Sequence, residues 1–104
     1  MEEFERKIRQ KLKSIGTDNQ IYLKEDYAYV IFSKHKVKEY EVDYLFDMKK
    51  IIAITPNLAF PEERMDAEIN AGKNRKLKII FMFDPVFKGK KLKDKVGIIT
   101  AFPI

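Results

Sequence analysis

The chain has 104 residues, 45% of them apolar, and its 21 Lys and Arg outnumber its 16 Asp and Glu to give a net charge of +5. This length and apolar content suffice for one hydrophobic core, so we expect a single domain over residues 1–104. The lack of cysteine excludes disulfides, thiolate metal sites and cysteine nucleophiles, and the single histidine, His35, excludes a multi-histidine metal site. No cofactor or metal ion is predicted.

All apolar runs fall far short of the ~20 residues that cross a bilayer. Residues 1–30 show no basic flank followed by an apolar signal core. We therefore expect a cytoplasmic protein without a membrane partner.

Positive charge is concentrated in one segment of the chain. Between positions 73 and 95 the net charge is +7, whereas the first 72 residues sum to −2. Such a basic segment on a near-neutral body is the electrostatic footprint of a protein that meets a phosphate backbone or an acidic protein. Charge alone does not decide between these two partners.

The amino-terminal segment, residues 2–15, predicts an amphipathic helix, and Gly16 supplies a left-handed stop. Its apolar stripe packs either on the domain core or on a second copy of the chain, so a homodimer is one alternative. The residues of this stripe recur at intervals of four, four and three: Phe4, Ile8, Leu12 and Ile15.

Residues 21–23 and 27–33 are rich in aromatic and β-branched side chains and predict the two arms of a hairpin. From position 36 to 49 the apolar period becomes helical, with Ser33 as the expected N-cap. Residues 51–55 are short and apolar, which is typical of a buried strand.

The second half predicts a short helix over residues 61–71, because Pro61 and two glutamates have the composition of a helix start. Strands are expected over 76–84 and 96–102, joined by an exposed basic loop or hairpin at 85–95. The element order therefore predicts an α+β fold, a two-layer sandwich in which helices pack on a mainly antiparallel sheet.

A resemblance supports this fold class. The stretch Lys34-His35-Lys36-Val37, followed by a helix with Glu41 and a strand, and the late Thr100-Ala101-Phe102, resemble toxins of the BrnT group. The likeness covers about residues 27–103. Lys36 stands where that family has glycine, and Phe102 stands where it has arginine. The resemblance implies the fold of RelE-like ribonucleases, RNA as substrate and an acidic antitoxin as protein partner.

Two residues are candidates for catalysis. RNA cleavage needs a base that takes a 2′-hydroxyl proton, and imidazole titrates near neutral pH without help, which points to His35. Arg75 precedes the predicted central strand, and a guanidinium can hold a phosphate through two parallel hydrogen bonds. The alternatives are a structural histidine at a helix entrance and a solvated surface arginine.

Lysines supply the predicted nucleic-acid contacts, since a loop that presents several of them can displace counterions from several phosphates. The alternative is a solvated loop. The predicted contact residues are Lys34, Lys36, Lys76, Lys88, Lys90, Lys91, Lys93 and Lys95.

The leading interpretation is an RNA-directed, toxin-like protein of the RelE/BrnT type, an endoribonuclease that needs no metal and is silenced by an acidic antitoxin. A second interpretation is a non-catalytic nucleic-acid-binding protein of the same fold, favoured by Phe102 in place of arginine. A third is a protein-interaction module that pairs its basic loop with an acidic partner.

Overall fold

A computed structural model describes residues 2–17 and 21–104. The first element, α1 (Glu2–Ile15), is the predicted helix, and Leu12 on its stripe is fully buried in the core of the same chain. Gly16 closes α1 with a positive φ of 74° and donates its backbone N–H to the Leu12 carbonyl at 3.0 Å. The apolar stripe of α1 therefore packs on the core of its own chain, which is the first of the two predicted alternatives.

The predicted hairpin is wrong in its second arm. A two-residue strand, β1 (Ile21–Tyr22), is followed by the helix α2 (Glu25–Tyr29), which continues as a π-helical turn over Val30–Lys34. The aromatic and β-branched residues in this segment gave a strand-like composition. Packing of Ile31, which is fully buried, outweighs that local preference.

The predicted helix over 36–49 is much shorter in the structure. It consists of α3 (Glu39–Val42) and a 3₁₀ turn over Asp43–Phe46. Lys38, rather than Ser33, is the N-cap, and its backbone N–H donates to Glu41 Oε1 at 2.8 Å. The apolar residues of this segment are shared by a helix, a 3₁₀ turn and the residues after them.

Five strands form one sheet in the order β1-β7-β4-β3-β2, and a small hairpin stands apart from it. All neighbours in the large sheet are antiparallel except β1 and β7. The remaining strands are β2 (Ile51–Pro56), β3 (Met65–Gly72), β4 (Arg75–Phe83), β5 (Val86–Phe87), β6 (Lys90–Lys91) and β7 (Val96–Pro103).

Strand β3 replaces the predicted helix over 61–71. Met65, Ala67 and Ile69 are buried, and the residues between them are partly exposed, which is the period of two that a strand requires. Pro61, Glu62 and Glu63 do not start a helix. They belong to the loop that leads from β2 into β3.

The sheet buries one face against the three helices and leaves the other face partly exposed. Leu77, Ile79 and Phe81 of β4 are fully buried, and Lys78, Ile80 and Met82 between them are partly exposed. The α+β prediction is therefore confirmed, with helices on a mainly antiparallel sheet. Within residues 2–17 and 21–104, none of the helices is long and apolar enough to cross a membrane.

Candidate functional site

His35 lies directly after the π-helical turn and reaches the edge of the sheet. Its backbone N–H donates to the Val30 carbonyl at 2.8 Å, which closes the turn. Its ring Nδ1 lies 3.0 Å from the Ala101 carbonyl oxygen in β7. Within the described residues, β1 pairs with the start of β7, at Val96 and Gly97, and the histidine covers a later part of the same strand.

This hydrogen bond determines where the ring can accept a proton. A carbonyl oxygen only accepts, so Nδ1 of His35 must carry a hydrogen. In the neutral ring the lone pair is then on Nε2, the nitrogen that a general base would use. The ring also meets Phe102 edge-on, with 5.9 Å between ring centroids, which further fixes its orientation.

Arg75 begins β4 and binds a buried carboxylate. Its Nε donates to Glu41 Oε2 at 2.7 Å and its Nη2 donates to Glu41 Oε1 at 2.8 Å, a bidentate pair. The Glu41 side chain is only 3% exposed, and the hydrogen bonds from Arg75 hold the pKa of this carboxyl below its usual range despite burial. The same bonds raise the pKa of Arg75.

The guanidinium of Arg75 therefore anchors α3 to the start of β4. A third contact, from Nη2 to the Lys36 carbonyl at 3.3 Å, ties Arg75 to the segment beside His35. With two donors bound to Glu41, the bidentate phosphate clamp predicted for Arg75 would have to displace a buried carboxylate. The phosphate contact stays a prediction, and the observed contacts are structural.

The fold gathers one group of predicted residues at one end of the sheet, which we call the His35 end. Arg75 and Lys76 start β4, which runs here beside the end of β7. Lys34 and Lys36 flank the histidine and are exposed. Lys36 has a φ of 58°, the left-handed conformation that glycine adopts most readily.

The other group lies at the opposite end of the sheet, in the basic hairpin (residues 85–95). This hairpin joins the end of β4 to the start of β7 and places β5 against β6. Because β4 has nine residues at ~3.3 Å each, about 26 Å separates its two ends. The five predicted residues in the basic hairpin, exposed except for the half-buried last one, are Lys88, Lys90, Lys91, Lys93 and Lys95.

Sequence reasoning missed three lysines and one glutamate at the His35 end. Lys49 and Lys50 precede β2 and meet Lys73, in the turn between β3 and β4, along one groove. Their separation in sequence hid this grouping. Glu41 could have been noticed in the sequence, because it is a charged residue next to Val42 in a segment with a helical apolar period. Its partner, Arg75, is 34 positions away in the sequence, so no local pattern predicts the pair.

No part of the described chain groups three or more His, Asp or Glu side chains in a way that could hold a metal ion. No protein-family model, curated protein or solved structure matches the chain significantly. The likeness to BrnT toxins therefore stays a prediction from the sequence.

Proposed function

We propose that this chain acts on RNA as a toxin-type endoribonuclease in which His35 is the general base. The observation that carries the proposal is the Nδ1 contact with the Ala101 carbonyl, which leaves Nε2 of the neutral ring as the proton acceptor. Exposed lysines on both sides of the histidine supply positive charge where the RNA backbone would lie.

In the proposed reaction, Nε2 of His35 takes the proton of a ribose 2′-hydroxyl, and the oxygen attacks the adjacent phosphorus. The bond from phosphorus to the 5′-oxygen breaks, and that oxygen leaves with a proton from water. The products are a 2′,3′-cyclic phosphate and a 5′-hydroxyl. Lys34 and Lys36 would stabilise the negative charge that grows on the phosphoryl oxygens.

His35→Asn tests this role, because an asparagine amide can still donate to Ala101 but cannot act as a base. We expect the rate of RNA cleavage to fall by about 10² to 10⁴. RNA affinity and the melting temperature should stay near those of the wild type. Cleavage at the wild-type rate by His35→Asn, or wild-type products with 3′-hydroxyl and 5′-phosphate ends, would remove His35 from the chemistry.

A second candidate is a non-catalytic module, and two observations favour it. The Arg75 guanidinium is bound to Glu41. In the basic hairpin, Val86 and Phe87 are 51% and 43% exposed, and Leu58, in the loop between β2 and β3, is 98% exposed. Exposed apolar side chains among lysines suit an acidic protein partner such as an antitoxin. Intact protein that binds RNA or such a partner without cleaving RNA would select this candidate.

A further inference from the structure

Two grooves flank the turn between β3 and β4. The first has a volume of about 430 Å³ and the second about 520 Å³, and both are lined by Asn70, Gly72 and Lys73. Lys49 and Lys50 line the first groove on its far side. Lys73 therefore stands between two depressions that run along the same edge of the molecule.

The second groove includes Arg75, which contacts the segment beside His35. It is lined by Lys73, Arg75 and Lys76, together with Ile104. Nη2 of Arg75 donates to the Lys36 carbonyl, and Lys36 is the neighbour of His35. A set of cations, the lysine band (Lys49, Lys50, Lys73 and Lys76), thus lies on the approach to the candidate base.

Lys50 of the lysine band is held by two contacts. The Asn70 backbone N–H donates to the Lys50 carbonyl at 2.8 Å, which holds the start of β2 beside the end of β3. The Lys50 ammonium lies 4.4 Å from the centre of the Tyr44 ring. A lysine held this way can meet an anion without first ordering a flexible loop.

Acidic side chains in the two grooves do not cancel this charge. Among the described residues that line the two grooves, Asp47 is the one with an acidic side chain, and its Oδ1 accepts the Lys49 backbone N–H at 3.0 Å. Glu41, nearby, is bound by Arg75. The band has four lysines facing one half-buried aspartate, so it retains a net positive charge.

We infer that the lysine band is the track for the sugar-phosphate backbone of a single-stranded RNA whose cleaved bond lies at His35. This inference rests on the proposed function and names the path of its substrate. A positively charged groove that follows one strand is the usual way in which proteins hold single-stranded nucleic acid. The basic hairpin, about 26 Å away along β4, then contributes little to RNA affinity.

Two variants of equal charge test the inference. The band variant replaces Lys49, Lys50, Lys73 and Lys76 by Gln, and the hairpin variant replaces Lys88, Lys90, Lys91 and Lys93 by Gln. The probe is a fluorescent 2′-O-methyl RNA of about 12 nucleotides, which binds a single-strand site but lacks the attacking hydroxyl. Its dissociation constant is measured between roughly 50 and 200 mM salt, where electrostatic affinity changes most clearly.

We expect the band variant to bind at least about tenfold more weakly at low salt and to lose about two to three units of salt slope, since each lost phosphate contact lowers the slope by about 0.7. The hairpin variant should change the slope by less than about one unit. Equal losses in both variants, or a larger loss in the hairpin variant, would overturn the inference. Circular dichroism melts establish that each variant is folded. If the band variant is unfolded, the double variant Lys49→Gln/Lys73→Gln takes its place.

Failure of the proposed function gives a different result. If wild-type protein cleaves unmodified RNA while the two variants bind the probe equally, only the inference about the lysine band is wrong. If wild-type protein neither cleaves RNA nor binds the probe, the proposed function and the inference both fall.

Discussion

The two basic regions of this protein differ in how they are built. The lysine band and the residues around His35 come from four separate chain segments, and the fold brings them to one end of the sheet. These segments are residues 34–36, 49–50, 73–76 and 101–102. The basic hairpin is one continuous stretch, residues 85–95, at the other end. The densest run of lysines in the sequence therefore lies far from the candidate base. The positive charge near that base comes from lysines that are separated in the sequence.

The two regions also differ in how they are held. At the His35 end, a buried carboxylate binds Arg75 through two hydrogen bonds and caps α3 through a third. The basic hairpin has strands of two residues, and backbone contacts such as the 2.7 Å bond from the Leu92 N–H to the Pro85 carbonyl close it. We expect the His35 end to depend more strongly on single side chains for stability.

The largest predicted effect follows from removing Arg75. Arg75→Ala leaves the Glu41 carboxylate buried and unpaired, and we expect the free energy of unfolding to fall by roughly 2 to 4 kcal/mol, less than for a fully buried pair because a third of the Arg75 side chain is exposed. Lys90→Ala, the matched change in the basic hairpin, should alter it by less than about 0.5 kcal/mol. Urea unfolding monitored by circular dichroism measures both values. Similar losses in the two variants would remove the contrast between the ends.

A smaller effect is predicted at the base of the hairpin. Gly97 of β7 lies beneath Pro85, and a Cβ added there would be 2.8 Å from Pro85 Cβ and 3.2 Å from Met82 Cγ. Gly97→Ala should therefore cost about 1 to 3 kcal/mol by overpacking, with the strain confined to the hairpin end. Hydrogen exchange should quicken in residues 85–95 while the Ala101 region stays protected. Uniform loss of protection would show that the ends are not independent.

The acid dependence of stability gives a third contrast. The pKa of Glu41 is lowered in the folded protein, so its contribution to stability is fully present above the unfolded-state pKa and is lost as pH falls through the folded-state pKa. Unfolding midpoints should therefore decline in acid, below about pH 4.5. Glu41→Gln should flatten this decline, and Lys90→Ala should leave it unchanged. An equally steep decline in Glu41→Gln would assign the acid sensitivity to other carboxylates.

The sequence was sufficient to predict α1, β2, β4 and β7, because each carries a clear period or a buried apolar run. It misled at residues 27–33, where strand-like side chains form a helix and a π turn that bury Ile31. It misled again at β3, where a proline and two glutamates in a loop imitated a helix start. In both places tertiary packing prevailed over local composition.

Only part of the candidate site could be predicted from the sequence. His35 stood out as the one imidazole, but its bond to Ala101 joins residues 66 positions apart. The Glu41–Arg75 pair spans 34 positions, and the lysine band joins residues near 50 to residues near 75. Local patterns carry no information on such contacts, since sheet register decides them.

The pH dependence of RNA cleavage under single-turnover conditions tests the central claim most directly. If Nε2 of His35 is the base, the wild-type rate should fall about tenfold per pH unit on the acid side, because the protonated ring cannot accept the 2′-hydroxyl proton. His35→Asn should retain only a slow rate without that limb. An acid limb of unchanged shape and position in His35→Asn would contradict the account.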